Sequence, residues 1–259
     1  MPNDKARIFR ALHDRTPLVL PNAWDAASAA LIARAGAPAI ATTSGGVAWS
    51  LGRPDGQVLG RDEMTAAVRR IAAAVDVPVT ADIEHGYDDV AGAIRAIAGA
   101  GAAGVNIEDT VAGSLRPVGE QAARLREARD ADADVVINAR TDVFLFGLGG
   151  LDDVLERAAA YAEAGADCLF VPGLLDLGTL TELVKSSPLP INAMAGPGGP
   201  TVAELAATGV RRISVGTAIA QAAYGLAERA AREILEAGTF RALEGGAAYP
   251  ELNALSSRA

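Results

Sequence analysis

The sequence predicts a (β/α)8 barrel that takes up residues 1–259 as a single domain. Three observations support this fold class. A short apolar strand followed by an Ala-, Leu- and Arg-rich helix recurs eight times, the length suits a barrel of about 250 residues, and the strand ends carry polar side chains. The alternative is an open doubly wound sheet, which has a glycine-rich loop after its first strand. Residues 21–25, Pro-Asn-Ala-Trp-Asp, provide no such loop.

The predicted elements follow one another with short connections. A helix over 4–14 comes first, and a tail over 240–255 comes last. Strands are predicted at 18–22, 39–44, 78–84, 104–109, 135–141, 168–172, 189–194 and 211–216. Helices are predicted at 25–36, 61–75, 88–100, 119–131, 151–164, 176–186, 200–208 and 217–237. Gly-Ala pairs such as Gly36-Ala37 and Gly165-Ala166 mark helix ends just before the next strand.

The composition limits the classes of function. Half of the residues are apolar, 21% are charged and the net charge is −9, which is typical of a globular protein. Because the chain has no basic stripe, we expect no nucleic acid and no anionic membrane as a partner. No uncharged apolar segment reaches the roughly 18 residues of a membrane span. The N-terminal residues lack the apolar core of a signal peptide, so a cytoplasmic location is expected.

The most informative stretch is residues 77–87, Val-Pro-Val-Thr-Ala-Asp-Ile-Glu-His-Gly-Tyr. Alternation along a strand would place Asp82 and Glu84 on one face. The next strand repeats this arrangement with Asn106 and Glu108. Carboxylates at the ends of neighbouring buried strands are costly unless they are paired or bound to a cation. These residues are therefore the best indication of function.

Together with Asp55, on the long loop after the second strand, these three acids make an all-oxygen cluster of Asp55, Asp82, Glu84 and Glu108. Oxygen ligands without His or Cys select Mg²⁺ or Mn²⁺ rather than zinc. The alternative is that the carboxylates lie on the surface with ordinary partners. Strand alternation argues against it, because it directs them inward.

Three further features suggest how a substrate would bind. Arg140 shares inward parity with Asn138, and it is either a structural ion pair with the acids or a clamp for a substrate carboxylate. Ser44, Gly45 and Gly46 offer backbone amides that could receive an anion. Asn192, near the end of the seventh strand, is another candidate for substrate binding. Metal, arginine and amides together predict a site for a small anionic 2-oxo acid.

The remaining reactive side chains offer less. His85 follows the acidic strand and is a candidate acid or base, although a loop histidine bonded to a carboxylate is the simpler interpretation. We expect His13 to be structural, and we expect the one cysteine, Cys168, to be a buried thiol that excludes an intrachain disulfide. The two lysines lie away from the predicted strand ends, which argues against Schiff-base chemistry.

Six ordered motifs carry a family resemblance over about residues 8–235. They are residues 21–26 (PNAWDA), 42–46 (TTSGG), 52–56 (GRPDG), 81–87 (ADIEHGY), 105–109 (VNIED) and 138–142 (NARTD). The chain resembles the isocitrate lyase/phosphoenolpyruvate mutase superfamily. The resemblance implies a (β/α)8 barrel that binds Mg²⁺ and acts on 2-oxo acids or their enolates, cleaving C–C bonds (isocitrate, methylisocitrate, oxaloacetate) or making and breaking C–P bonds.

The same resemblance implies roles for individual residues. Asp82 would bind Mg²⁺ directly, and Asp55, Glu84 and Glu108 would hold its water molecules. Ser44, Gly45 and Gly46 would receive an oxyanion or carboxylate, and Arg140 would clamp the substrate.

Three departures from the family pattern bear on the reaction. The usual Asp-x-Asp is Asp82-Ile-Glu84 here, the Lys-Lys/Arg-Cys-Gly-His segment of the lyases is missing, and the segment 110–114 is too short for the lid of the mutases. The leading prediction is therefore a lyase-like enzyme that cleaves or decarboxylates through an enolate. C–P chemistry, as in phosphoenolpyruvate mutase or phosphonopyruvate hydrolase, and a non-catalytic barrel that binds a 2-oxo acid are the alternatives.

The last predicted helix bears on assembly. Residues 217–237 carry an apolar stripe of Ile219, Ala222, Ala223, Leu226, Ala230 and Ile234, which must be buried. It either packs on its own barrel as the eighth helix or, as the resemblance implies, is exchanged between subunits. We expect the exchange and a homodimer or homotetramer, with residues 240–255 adding contacts.

Overall fold

A computed structural model describes residues 4–14, 17–56 and 58–256. The strands of its main sheet are all parallel, and the two strands at the ends of the sheet order are consecutive in the chain. Strands β1 (Leu18–Leu20) and β2 (Asn22–Ala23) both derive from the first predicted strand, interrupted at Pro21, which has no N–H to donate. β1 pairs with β11 (Arg212–Ser214), whereas β2 pairs with β3 (Ile40–Thr42). The sheet thus closes into a barrel, and the predicted fold class is confirmed.

The other strands of the barrel are β4 (Val79–Asp82), β5 (Gly104–Glu108), β8 (Val136–Arg140), β9 (Cys168–Phe170) and β10 (Ile191–Met194). A separate hairpin pairs β6 (Thr110–Val111) with β7 (Ser114–Leu115). The helices are α1 (Asp4–Leu12), α2 (Ala26–Arg34), α3 (Ser44–Ser50), α4 (Arg61–Ala73), α5 (Val90–Gly99), α6 (Val118–Ala131), α7 (Leu151–Glu163), α8 (Leu177–Ser186), α9 (Val202–Ala207), α10 (Ala218–Ala237) and α11 (Tyr249–Ser256), with a 3₁₀ turn at Arg241–Leu243.

Local signals account for the positions of these helices. Asp25 caps α2, because its Oδ1 accepts a hydrogen bond from the Ser28 N–H at 2.7 Å and Ser28 Oγ accepts from the Asp25 N–H. Asp176 caps α8 in the same way through the Thr179 N–H at 2.8 Å. Side chains with a helical period then bury one face of each helix against the strands. Predicted and observed elements consequently agree to within a few residues, apart from the differences described next.

Two segments differ from the prediction. The second strand ends at Thr42, and the predicted loop that follows begins instead with helix α3. The third strand ends at Asp82, so Glu84 lies in the turn after it with φ of 53°, in the left-handed region. Strand alternation therefore does not set the direction of Glu84, and that part of the argument from sequence was wrong.

The bottom of the barrel is closed by α1. The Phe9 ring is completely buried and lies with its centroid 5.7 Å from the guanidinium carbon of Arg212. Arg212 is itself completely buried, and its Nη2 donates to Asn106 Oδ1 at 3.1 Å. Burial lowers the pKa of Arg212 to about 10. A charged side chain therefore occupies the barrel interior.

Helix α10 stands largely outside the barrel. Of the predicted stripe only Ala230 is buried, while Leu226 and Ile234 are 44% and 38% exposed. The interpretation that this helix buries its stripe on its own barrel is therefore wrong. None of the helices within residues 4–14, 17–56 and 58–256 has the length and apolar character of a membrane span.

Candidate active site

Two adjoining cavities open where the barrel strands end at their carboxyl side. Their volumes are about 510 and 210 Å³, and Ser44, Asp55 and Arg140 line both of them. The larger cavity is also lined by Glu84 and Glu108, and the smaller one by Asp82. All four predicted metal ligands thus lie on the walls of one composite cavity, at the end of the barrel where active sites are found.

Asp82 is the last residue of β4, and its buried carboxylate is held by its neighbours. Oδ2 accepts hydrogen bonds from the Ser44 hydroxyl at 3.3 Å and the Ser44 N–H at 3.5 Å. Oδ1 accepts from the Glu84 N–H at 3.3 Å, and the Asp82 N–H donates to Thr42 Oγ1 at 2.9 Å. Burial raises the pKa of Asp82, although the positive charge of Arg140 opposes this. The carboxylate is fixed in position at the cavity wall.

The left-handed conformation of Glu84 gives that residue its place in the cavity. A non-glycine residue at positive φ is a local strain of about 1–3 kcal/mol. The strain is maintained by the surrounding structure, since the Glu84 carbonyl accepts the Glu108 N–H at 2.9 Å. Such strain is common where function fixes a side chain.

Arg140 lies between two carboxylates at the end of β8. Its Nη1 is 2.9 Å from Glu108 Oε2, and its Nε is 2.7 Å from Asp142 Oδ1. These carboxylates raise the pKa of Arg140. Burial raises the pKa of Glu108 to about 8, and the positive charge of Arg140 offsets only part of this rise. Two of the five guanidinium N–H groups are used in these contacts, so others remain to bind a substrate anion. The ion pair and the substrate clamp are therefore compatible.

A buried network that the sequence did not indicate supports Arg140 from behind. The Asp142 N–H donates to Asp109 Oδ1 at 3.0 Å. Asp109 Oδ2 accepts from Arg157 Nη1 at 3.1 Å and from the Tyr161 hydroxyl at 2.9 Å. Because all these side chains are buried, Asp142 has little freedom, and Arg140 is oriented through it.

The segment Ser44-Gly45-Gly46 is the start of a helix rather than an open loop. The first N–H groups of a helix have no intrahelical partner, so Gly45 and Gly46 still offer amide donors, whereas the Ser44 N–H donates to Asp82. Gly45 has a second role: a Cβ added there would lie 2.9 Å from Asp55 Oδ2, and one at Gly46 would lie 2.8 Å from Trp24 Cβ. The two glycines therefore allow close packing, and Gly45 lets the Asp55 carboxylate approach.

Asn106 lines the smaller cavity and was not among the predicted site residues. It lies in register with Asp82 on one side and Asn138 on the other. Its Oδ1 accepts from Asn138 Nδ2 at 2.8 Å and from Arg212 Nη2 at 3.1 Å. Because Asn106 Oδ1 already accepts these two hydrogen bonds, the NH₂ group of Asn106 is the part of the side chain that can donate to a ligand in the cavity.

Two predicted residues do not line the composite cavity. The His85 ring lies 6.3 Å from the Tyr87 ring, and burial together with the charges of Arg116 and Arg124 lowers its pKa. Asn192 donates to Ser214 Oγ at 3.1 Å, and Ser214 rather than Asn192 is at the cavity wall. The structure therefore gives Asn192 a supporting position and leaves His85 outside the site.

The expected structural residues are at the opposite end of the barrel. Cys168 is buried 3.1 Å from the Pro190 carbonyl oxygen, and burial raises the pKa of its thiol to about 12. The His13 Nδ1 is 2.9 Å from the Phe9 carbonyl oxygen. The prediction of a buried thiol at Cys168 is confirmed.

The acids of the cavity fit a hard divalent cation. Asp82 and Glu84 are buried, and burying unpaired carboxylates is costly, so a bound cation would stabilise the charged forms of the acids on these walls. Within the described ranges, no three His, Cys, Asp or Glu side chains lie close enough together to hold a metal ion by themselves. Mg²⁺ usually keeps several water molecules and uses one or two carboxylates. The oxygen donors on these walls therefore suit Mg²⁺ that keeps part of its water shell.

Fold and cavity together define a barrel protein with an acidic cavity, which Arg140 also lines, at the strand ends. A model of the family described as phosphoenolpyruvate phosphomutase matches residues 9–235. The chain is 37% identical over 204 residues to 2-methylisocitrate lyase of Escherichia coli, which is 72% of this chain and 68% of the lyase. The chain belongs to the isocitrate lyase/phosphoenolpyruvate mutase superfamily, as the motifs indicated.

Solved structures agree with this assignment. A protein of Burkholderia cenocepacia J2315 has 37% sequence identity and a TM-score of 0.92, with 99% of this chain and 97% of that chain covered. A phosphonopyruvate hydrolase in complex with oxalate and Mg²⁺ has 26% identity and a TM-score of 0.86, covering 98% and 95%. The relatives therefore include a C–C lyase and an enzyme of C–P chemistry.

Proposed function

We propose that this protein is a Mg²⁺-dependent enzyme that cleaves or decarboxylates a small 2-oxo or 2-hydroxy carboxylate through an enolate. The observation that carries the proposal is the placement of Arg140 on the same cavity walls as Asp82, Asp55, Glu84 and Glu108. One cation for the substrate carboxylate then lies beside a set of acids for the metal. The Mg²⁺ complex of the related phosphonopyruvate hydrolase supports the metal.

In this proposal the chain's own residues bind and orient the substrate. Arg140, held by Asp142, donates to the substrate carboxylate and aligns the bond that breaks. The N–H groups of Gly45 and Gly46 in the first turn of α3 donate to a second oxygen, while Ser44 holds Asp82, and Asn106 supplies an NH₂ group. When bound, Mg²⁺ would supply Lewis-acid stabilisation of negative charge on the substrate oxygen. Because His85 is outside the cavity, we expect the enolate to take its proton from water rather than from His85.

C–P chemistry is the second candidate, favoured by the family model and by phosphonopyruvate hydrolase. It ranks lower because a transferring phosphoryl group must be shielded from water. The hairpin β6–β7 turns at Ala112 and Gly113, both at positive φ, and reaches only the wall of the larger cavity. A hairpin this short leaves the cavity open.

A substrate panel with and without Mg²⁺ tests the proposal. We expect oxaloacetate and related 2-oxo acids to lose a C–C bond only with Mg²⁺, and Arg140→Ala to lower the rate more than His85→Ala does. Efficient interconversion of phosphoenolpyruvate and phosphonopyruvate would instead establish the second candidate. Tight binding of a 2-oxo acid without any product would mean a non-catalytic barrel.

A further inference from the structure

The wall of the smaller cavity that faces away from the acids is apolar. It consists of Leu145, Phe170, Pro172 and Met194. Phe170 and Met194 end β9 and β10, which lie across the barrel from β3 and β4, the strands that lead to Ser44 and Asp82. The cavity therefore has a charged side and an apolar side, and we call these four residues the apolar wall.

Close packing holds the apolar wall together. A Cβ added at Gly173, whose φ is +86°, would lie 2.8 Å from the Leu145 backbone N, so the loop after β8 rests directly on the turn after β9. That contact brings Leu145 beside Phe170 and Pro172, both of which are buried. The Phe170 ring lies 5.8 Å from the Arg140 guanidinium carbon. The apolar wall thus begins next to the group that would bind the substrate carboxylate.

Positive charge is scarce in this site. Among the described residues that line the two cavities, Arg140 is the only cationic side chain, and it already contacts Glu108 and Asp142. A further substrate carboxylate that reached the apolar wall would lose its water and find no cation there, and hydroxyl groups such as those of Ser214 and Thr217 lie elsewhere on the cavity lining. An alkyl group placed there would instead gain from burial, by about fourfold in affinity per methylene.

Resting on the function proposed above, we propose that the substrate carries an uncharged alkyl group on the side away from Asp82, and that Leu145, Phe170, Pro172 and Met194 select it. The substrate class is then an alkyl-substituted 2-oxo or 2-hydroxy carboxylate. A substrate with an additional carboxylate at that position is rejected.

Binding of paired acids to the full-length protein in the presence of Mg²⁺ tests this proposal by calorimetry. 2-Oxopentanoate and 2-oxoglutarate differ only in a terminal methyl or carboxylate group, and pyruvate lacks both extensions. We expect 2-oxopentanoate to bind about tenfold more tightly than pyruvate, and 2-oxoglutarate to bind more weakly than pyruvate. Tighter binding of 2-oxoglutarate than of 2-oxopentanoate would overturn the proposal.

Variants of Met194 provide the matched test. Met194→Arg adds a cation to the apolar wall and should reverse the preference, whereas Met194→Leu should preserve it. Thermal unfolding of both variants establishes that they are folded, and Leu145→Ala, which shortens the wall from the other side, should reduce the preference for 2-oxopentanoate several-fold. An unchanged preference in both Met194→Arg and Leu145→Ala would contradict the assignment of these residues.

The two proposals fail in different ways. Mg²⁺-dependent cleavage of oxo acids with a preference for the additional carboxylate would retain the function and reject the apolar specificity. Tighter binding of 2-oxopentanoate without turnover of any acid would retain the specificity and reject the function. Absence of binding by all three acids would reject the apolar specificity, while the substrate panel with and without Mg²⁺ decides the function separately.

Discussion

Gly45 and Asp55 are in such close contact that a Cβ at position 45 would lie 2.9 Å from Asp55 Oδ2. The absence of a side chain at Gly45 thus determines where a candidate metal-binding carboxylate can sit.

The first prediction follows from this contact. Gly45→Ala should displace the Asp55 carboxylate and weaken Mg²⁺ binding about tenfold in calorimetric titration with a 2-oxo acid present. Gly119→Ala is the matched control, because a methyl group there meets no atom within 4 Å. If Asp55 mediates the effect, Gly45→Ala should cost little more in an Asp55→Ala background. An equal loss in both backgrounds would contradict this explanation.

The second prediction separates direct from water-mediated metal ligands. Asp82→Ala should abolish Mg²⁺ binding, whereas Asp55→Ala should weaken it by about 10- to 100-fold. Glu182→Ala removes an exposed carboxylate of α8 and should leave the affinity unchanged. The same titration measures all three, and unaltered binding by Asp82→Ala would rule out the assignment of the metal site.

The third prediction concerns the network behind Arg140. Tyr161→Phe removes the hydroxyl that donates to Asp109 Oδ2 and accepts from Arg157. Because these groups are buried, we expect a loss of about 1–3 kcal/mol in the free energy of unfolding by urea. Tyr249→Phe, on a side chain that is 77% exposed, should change it by less than about 0.5 kcal/mol. Equal effects of the two substitutions would show that the network adds no stability.

The fourth prediction concerns pH. Burial and the nearby Arg212 lower the pKa of His13 from 6.5 to about 4. The unfolded chain therefore takes up a proton near pH 6.5 that the folded protein accepts only near pH 4, so His13 makes the protein less stable as the pH falls through this range. Between pH 7 and 4.5 the loss from His13 should be about 2–3 kcal/mol.

His13→Gln should remove that part of the loss, as measured by urea unfolding at both pH values. The carboxylates whose pKa values are raised in the fold titrate in both proteins, so their effect cancels in the comparison. An identical pH dependence in the two proteins would exclude His13 as its source.

The fifth prediction follows from the exposed face of α10. We propose that this face is buried by helix exchange in a homodimer or homotetramer, so light scattering at micromolar concentration should give a multiple of 26.3 kDa. Leu226→Asp should favour the monomer, because it places a charge on the apolar stripe. Glu236→Lys, on an exposed residue of the same helix, should not. A monomeric mass for the unaltered protein would refute the proposal.

Most of the fold could be predicted from the sequence, because alternating and helical apolar patterns repeat with clear boundaries. Helix α3 escaped prediction, since Ser44-Gly45-Gly46 is a poor helix former and only burial in the assembled barrel makes it helical. Pro21 was assigned inside one strand, yet a residue without an N–H interrupts the pairing there.

The candidate site was predictable where strand ends carry unusual charge, as at Asp82 and Arg140. Glu84 reached the cavity through a left-handed turn that alternation cannot anticipate. Tyr161 and Asp109 are far apart in sequence, so their hydrogen bond could not be inferred from one chain. His85 was misplaced because adjacency to an acidic strand says nothing about which way a turn residue faces.

The division of the first barrel strand has a consequence for how the chain assembles. β1 has its neighbour in β11, nearly the whole length of the chain away, so this pair forms at a high cost in loop entropy. During synthesis β1 stays without that partner until Arg212–Ser214 has been made. Arg212 on β11 contacts Phe9 of α1, so the first helix also completes its packing only then. Closure of the barrel is therefore a late step in folding. Until that step is complete, the unpaired apolar edge of β1 is exposed and can aggregate with other chains.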